Sequence, residues 1–180
     1  RSYDLAQRIA NPYERAQANM NLGRLYLHKG DFHDAERYLD TAISLYAQIG
    51  VSANPNLMDA YWLRALLHLE QGQRDQAEVW CERNLALLRE GTGAADGESP
   101  EWGRYHQLQG RLALALGKVE EAVHHLDRAK AIFRINRSSA EVGRSAYWCA
   151  QARLRADDLV RARDELVEAR GIFETLGARV

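Results

Sequence analysis

Asn21-Leu22-Gly23-Arg24-Leu25-Tyr26-Leu27-His28-Lys29-Gly30-Asp31-Phe32-His33-Asp34-Ala35 is the stretch that decides the fold. A small residue, Gly23, is followed seven positions on by a turn glycine, five further by Ala35, and then by Leu39 and Ala42. The same stencil returns as Ala65, Gly72, Ala77 and Cys81; as Gly110, Gly117, Ala122, Leu126 and Ala129; and as Ala150, Asp157, Ala162, Leu166 and Ala169. Self-similarity of this period marks stacked supersecondary units, none of which buries its apolar face alone. Such arrays seldom carry chemistry and usually bind.

Apolar residues recur three and four positions apart through almost every segment, and no alternating strand pattern is present. The spacing predicts paired helices over 13–29 and 32–49, 56–71 and 74–90, 101–116 and 119–135, and 139–156 and 159–176, after a partial helix at 2–10. Gly30, Gly72 and Gly117 suit the left-handed position that ends a helix, and Asp157 takes that place in the fourth pair. Asp31 and Asp158 follow as N-caps, and Pro12, Pro55 and Pro100 stand at the starts of first helices. Residues 1–12 thus read as the end of a preceding repeat. Four repeats follow at 13–50, 56–90, 101–135 and 139–177, with a small-residue linker at 91–100. The linker's glycines lack the spacing of a dinucleotide fingerprint and no strand precedes them. The fold class expected is all-α, a right-handed solenoid of antiparallel helix pairs.

With 46% hydrophobic and 27% charged residues, a buried seam is affordable and a disordered chain is excluded. The formal net charge of -1 gives no general attraction to nucleic acid or anionic lipid. No stretch approaches the ~18 apolar residues of a membrane span, and no secretory signal is visible. The cytoplasm is the expected location. Cys81 and Cys149 sit inside helical pattern and are expected as small buried thiols. Because the sequence opens at Arg1 inside a helix-like run, it is expected to be a piece of something longer.

The repeat Asn21-Leu22-Gly23-Arg24-Leu25-Tyr26 through Gly30-Asp31-Phe32 to Ala35, Leu39 and Ala42 resembles the tetratricopeptide repeat. The turn residues lie 42, 45 and 40 positions apart, and each second helix carries a further matched pair: Leu45-Tyr46, Leu87-Leu88, Ile132-Phe133 and Ile172-Phe173. That long form is similar to the arrays of MalT-like bacterial regulators and signalling proteins. The resemblance implies a non-enzymatic module that binds a protein or peptide in its concave groove, within a larger bacterial regulatory protein. Its alternative is sensing of a small-molecule effector. The sequence departs from the clamp that chaperone-binding arrays use, which wants Asn where Arg24 stands and again where Leu63 stands.

In such an array the first helices line the groove. Gln17, Asn21, Arg24 and His28, then Arg104, Gln107 and Arg111, then Arg144, Tyr147, Trp148, Gln151 and Arg155 share helical faces, with Asp59, Trp62 and Leu66 in the second repeat. The candidate partner-binding set is Asn21, Arg24, Trp62, Arg104, Gln107, Arg111, Arg144, Tyr147, Trp148, Gln151 and Arg155. Arginine forks and aromatic faces suit a peptide or an acidic ligand. No nucleophile motif is present. His124 and His125 with Glu120 and Glu121 lack a third converging ligand, so no metal and no cofactor is expected.

The last helix repeats the interior pattern without a polar outer face. Leu166, Ile172, Phe173 and Leu176 are therefore expected to meet another copy of the chain or a continuation of it.

Overall fold

Helix punctuation sets the architecture. In the computed structural model, which describes residues 11–50, 54–92 and 97–177, eight helices run among the described residues. They are α1 (Pro12–Lys29), α2 (Phe32–Ile49), α3 (Pro55–Glu70), α4 (Arg74–Thr92), α5 (Pro100–Ala115), α6 (Val119–Ile135), α7 (Ser139–Arg155) and α8 (Leu159–Thr175). The expected helix at 2–10 and the middle of the linker, 93–96, lie outside the described residues. Pro12 opens α1, as its place before a first helix led one to expect, and the Asn11 side chain caps it by accepting from the Tyr13 amide at 3.0 Å. A missing N–H costs nothing in a first turn, so proline is pre-organised there.

Every turn inside a pair closes in the same way. Asp31 N–H donates to the Tyr26 carbonyl, Gln73 to His68, Lys118 to Ala113 and Asp158 to Arg153, at 2.8–3.0 Å. The residue before each lies at positive φ: Gly30 at 75°, Gly72 at 72°, Gly117 at 78° and Asp157 at 59°. This is the left-handed helix stop, which satisfies carbonyls that the helix end would leave bare. Arg137, at φ 54°, makes a further stop of this kind at the end of α6, where Ser138 N–H donates to the Phe133 carbonyl at 2.9 Å. Asp31 and Asp158 cap the next helices by accepting from the Asp34 and Arg161 amides.

The chain divides into two compact units, Arg1–Ala95 and Asp96–Val180. In the first, α1 and α2 form an antiparallel pair, α3 packs on α2 and touches α1, and α4 packs on α3. In the second, α5 pairs with α6, α7 packs on α6 and touches α5, and α8 packs on α7. The small residues allow the close approach. A Cβ added at Gly23 would lie 2.7 Å from Leu39 Cγ, and one at Gly103 2.7 Å from the Phe133 ring. Real side chains never sit so close, so only glycine lets these helices touch. Ala35, Ala77, Ala122 and Ala162 are all buried, as are Leu39, Cys81 and Leu126 at the next shared position. Each buried Leu or Phe removed from water contributes roughly 1.5–3 kcal/mol.

Two departures from the repeat are accommodated locally. Asn84 stands where Ala42 and Ala129 stand, and its amide donates to the buried Met58 carbonyl at 2.7 Å. Arg153 stands where the repeat has Tyr26, and its guanidinium meets Asp127 of α6 at 3.0 Å.

Candidate functional site

The sequence-predicted residues fall on the first helices of each unit. In the first unit Asn21 is exposed on α1, its carbonyl oxygen accepting from Gln17 at 3.5 Å, and Arg24 and Trp62 are half-buried. Gln17 in turn accepts from the buried Tyr46 hydroxyl at 3.2 Å, and the Tyr13 hydroxyl accepts from Asn56 at 2.7 Å. Burial pushes the Tyr46 phenol up to about 12, so it stays a donor at neutral pH. Leu66, expected on the same open face, is buried in the core.

The second unit gathers more of the set. Arg111 of α5 lays its guanidinium over the Trp148 ring of α7, 4.3 Å from the centroid. Tyr147 meets Trp148 edge to face at 5.3 Å and is 43% exposed. Arg104 pairs with Glu101 at 3.2 Å, Arg144 pairs with Glu141, and Arg155 donates to the Leu114 carbonyl at 2.6 Å. Gln151 is half-buried on the same helix. Four arginines against two glutamates leave this face cationic, and its aromatic faces are supported from below. Leu108 and Leu112 are buried, yet Arg111 keeps its place over Trp148.

Gln107 is the correction to the expected set. It is 3% exposed and donates to Ser145 Oγ at 3.1 Å and to Glu141 at 3.4 Å, tying α5 to α7. Its spacing is that of a face residue, but Ser145 offers a buried acceptor directly opposite, and an amide with such a partner turns inward. On the last helix, Leu166 and Leu176 are exposed as expected, whereas Ile172 and Phe173 are half-buried. Phe173 leans on Gly143 and Ile172 packs with Phe133 and Val142.

His125 of α6 lies against His106 of α5 with Nδ1 to Nδ1 at 2.9 Å. These two imidazoles occupy the register positions where Tyr61 and Trp80 meet with tilted rings at 5.4 Å in the second repeat, an aromatic slot between the two helices of a pair.

A buried ion network was missed by the sequence reading. Lys130 of α6 is bonded through Nζ to both oxygens of Glu165 of α8 at 2.6 Å, and both side chains are nearly inaccessible, at 8% and 10%. Asp127, Arg153 and Glu168 approach the pair at 3.5–3.7 Å, and Arg153 meets Asp127 at 3.0 Å. Burial pulls the Lys130 pKa down, but the hydrogen bond it donates to Glu165 and the neighbouring carboxylates outweigh that and leave it raised. Asp127, Cys149 and Glu165 also place ligand-type atoms within 4.8 Å of one another. The Lys130 ammonium already supplies the cation there. Burial, with Asp127 and Glu165 nearby, pushes the Cys149 thiol up, so it remains protonated. The signal that could have found the network is register: Lys130 occupies the place of Ile43, and Glu165 that of Trp80.

Residues 14–91 match the tetratricopeptide repeat family. No curated protein matches the sequence. Among solved structures the chain is similar to a Rap protein complexed with Competence and Sporulation Factor, at 15% identity and TM-score 0.79, covering 93% of this chain and 46% of that one. It is similar to BtubC (BKLC) from P. vanneervenii, at 18% identity and TM-score 0.70, covering 97% and 70%. It is also similar to the TPR-like repeats of a kinesin light chain from Podosopora anserina, at 22% identity and TM-score 0.60, covering 97% and 83%. The chain thus spans less than half the length of the Rap protein it resembles. The two helix pairs that follow the matched residues are built alike, so the described residues form an all-α array of helix pairs similar to tetratricopeptide repeats.

Proposed function

We propose that this chain is a non-enzymatic interaction module of a bacterial regulatory or signalling protein of the cytoplasm, and that its principal grip is the α5 and α7 face of the second unit. The partner is a protein or peptide segment that presents carboxylates beside an apolar or aromatic residue. One observation carries the reading: the Arg111 guanidinium lies over the Trp148 ring, 4.3 Å from its centroid, with Tyr147 exposed at its side. Guanidinium groups set among aromatic faces suit a peptide that carries a carboxylate beside an apolar or aromatic residue. Asn21, Arg24 and Trp62 of the first unit form a second, more neutral candidate face.

Support from the comparisons is of one kind. A Rap protein with this fold was solved with a bound factor, and the present chain shares the fold of that protein. An effector-sensing role has less behind it. The described hollows, of about 500 Å³ at Gly72–Gln76 and about 270 Å³ between Phe133, Arg137, Val142 and Ile172, are lined by none of the arginines of the α5 and α7 face. Among the described residues no helix is long and apolar enough to cross a membrane.

The test is a display selection of random peptides on the chain, followed by calorimetric titration of the enriched sequence. Acidic peptides with an aromatic residue are expected, and Arg104→Glu with Arg111→Glu should weaken their binding about 100-fold while the far-ultraviolet dichroism stays unchanged. Equal binding to the double variant would overturn the assignment of the site.

A further inference from the structure

The first and last described helices carry the two halves of a repeat interface that α2 with α3 and α6 with α7 keep closed. Ten positions past the turn residue, α2 has Asp40 and α6 has Asp127. Eight positions before its own turn residue, the incoming first helix answers: Arg64 of α3 pairs with Asp40 at 3.0 Å, and Cys149 of α7 meets Asp127 at 3.6 Å. The tenth position on α8 is Val167, and the matching position on α1 is Leu22. Both polar slots of the interior have become apolar, and they have done so together.

Exposure follows the same division. Leu25 of α1 shares its register with Leu67, Leu112 and Ala152, which are at most 3% exposed, yet Leu25 is 47% exposed. Leu166 of α8 shares its register with Leu39, Cys81 and Leu126, all fully buried, yet it is 40% exposed, and Val167 beside it is 63% exposed. An apolar face of this kind on a folded chain marks a contact surface. A first helix of the α3 type would bring Arg64 against Val167 and leave its charge unanswered, whereas α1 brings Leu22 and Leu25.

We infer that the chain associates head to tail, the α8 face of one copy (Leu166, Val167, Leu176) receiving α1 (Leu22, Leu25) of another. The contact is heterologous, so each copy offers one donor end and one acceptor end. It continues across copies the packing that α3 makes on α2 and α7 on α6 within each unit.

Sedimentation velocity on the 180-residue chain over a wide concentration range tests this, alongside Leu25→Glu and Val167→Glu. The native chain should gain mass with concentration, and each single variant should remain monomeric because one of its ends is blocked. Mixing the two variants restores one intact junction, so a 1:1 dimer should form and nothing larger. Both substitutions fall on exposed helix positions, and unchanged dichroism will show that the variants are folded. A native chain that is monomeric throughout overturns the proposal. So does self-association of Leu25→Glu at the native level, which would mean that α8 meets α8, and so does a mixture that stays monomeric.

Discussion

The two units answer the same half-exposed carboxylate, Asp40 or Asp127, with cations from different positions. In the first, Asp40 and its neighbour Glu36 are both substantially exposed, and the buried Arg64 reaches out to them while lying 5.5 Å from the Trp80 ring. In the second, the Arg64 position is Cys149, and the cations arrive from elsewhere: Lys130 replaces Ile43 and Arg153 replaces the aromatic position. Glu165 then replaces Trp80, so that an anion as well as a cation is buried. A register that carries a cation on an aromatic shelf in one unit carries a closed ion pair in the other. Burial of the partner, and not the number of charges, sets what each arrangement is worth.

The largest effect should come from breaking the buried pair alone. Lys130→Met leaves Glu165 buried with Arg153 at 3.6 Å as its remaining cation, and is expected to cost about 3–5 kcal/mol in urea unfolding of the second unit. Lys130→Met with Glu165→Met should recover most of that loss. A single variant as stable as the native chain would show that the pair contributes nothing.

Arg64→Leu is the matched change in the first unit. Glu36 and Asp40 can be hydrated once the arginine is gone, so the loss should be smaller, about 1–2 kcal/mol. A loss as large as that of Lys130→Met would erase the contrast between the units. Smaller again is the turn. Asp157 holds φ 59° where the other three pairs have glycine, so Asp157→Gly should stabilise by about 0.5–1 kcal/mol, a gain of a few degrees in Tm. No change would mean that the aspartate bears no strain there.

The thiols give the weakest and most readily measured contrast with ordinary cysteines. Burial raises the Cys81 thiol from 9.0 to about 12, with Glu78 and Glu82 adding to it. The folded state therefore prefers the protonated thiol, and its contribution is fully present below pH 9.0 and is lost as the pH rises from there toward 12. Both Cys81 and Cys149 should resist a disulfide reagent at pH 8 in the native chain and react at once in denaturant. Rapid native reaction would place one of them in a more open setting.

Helices, turns and caps were legible in the sequence because each rests on a local cause. Gly30, Gly72 and Gly117 take positive φ, Asp31 and Asp158 cap, and Gly23 permits contact with Leu39, all within a span that one repeat contains. The α5 and α7 face was partly legible, since helical spacing alone brought Arg111 and Trp148 to the same surface from 37 positions apart. Gln107 was not, because its burial depends on Ser145 of another helix. Lys130 and Glu165 were not, because a charge at an interior position looks like an error in the pattern until its partner, 35 positions away, is brought against it.

The account stands most directly on where a partner lands. Hydrogen–deuterium exchange of the chain with and without the selected acidic peptide should show protection on α5 and α7 around Arg111, Tyr147 and Trp148, with a weaker effect on α1 and α3. Protection confined to the turn at Gly72–Gln76, or to α8, would contradict it.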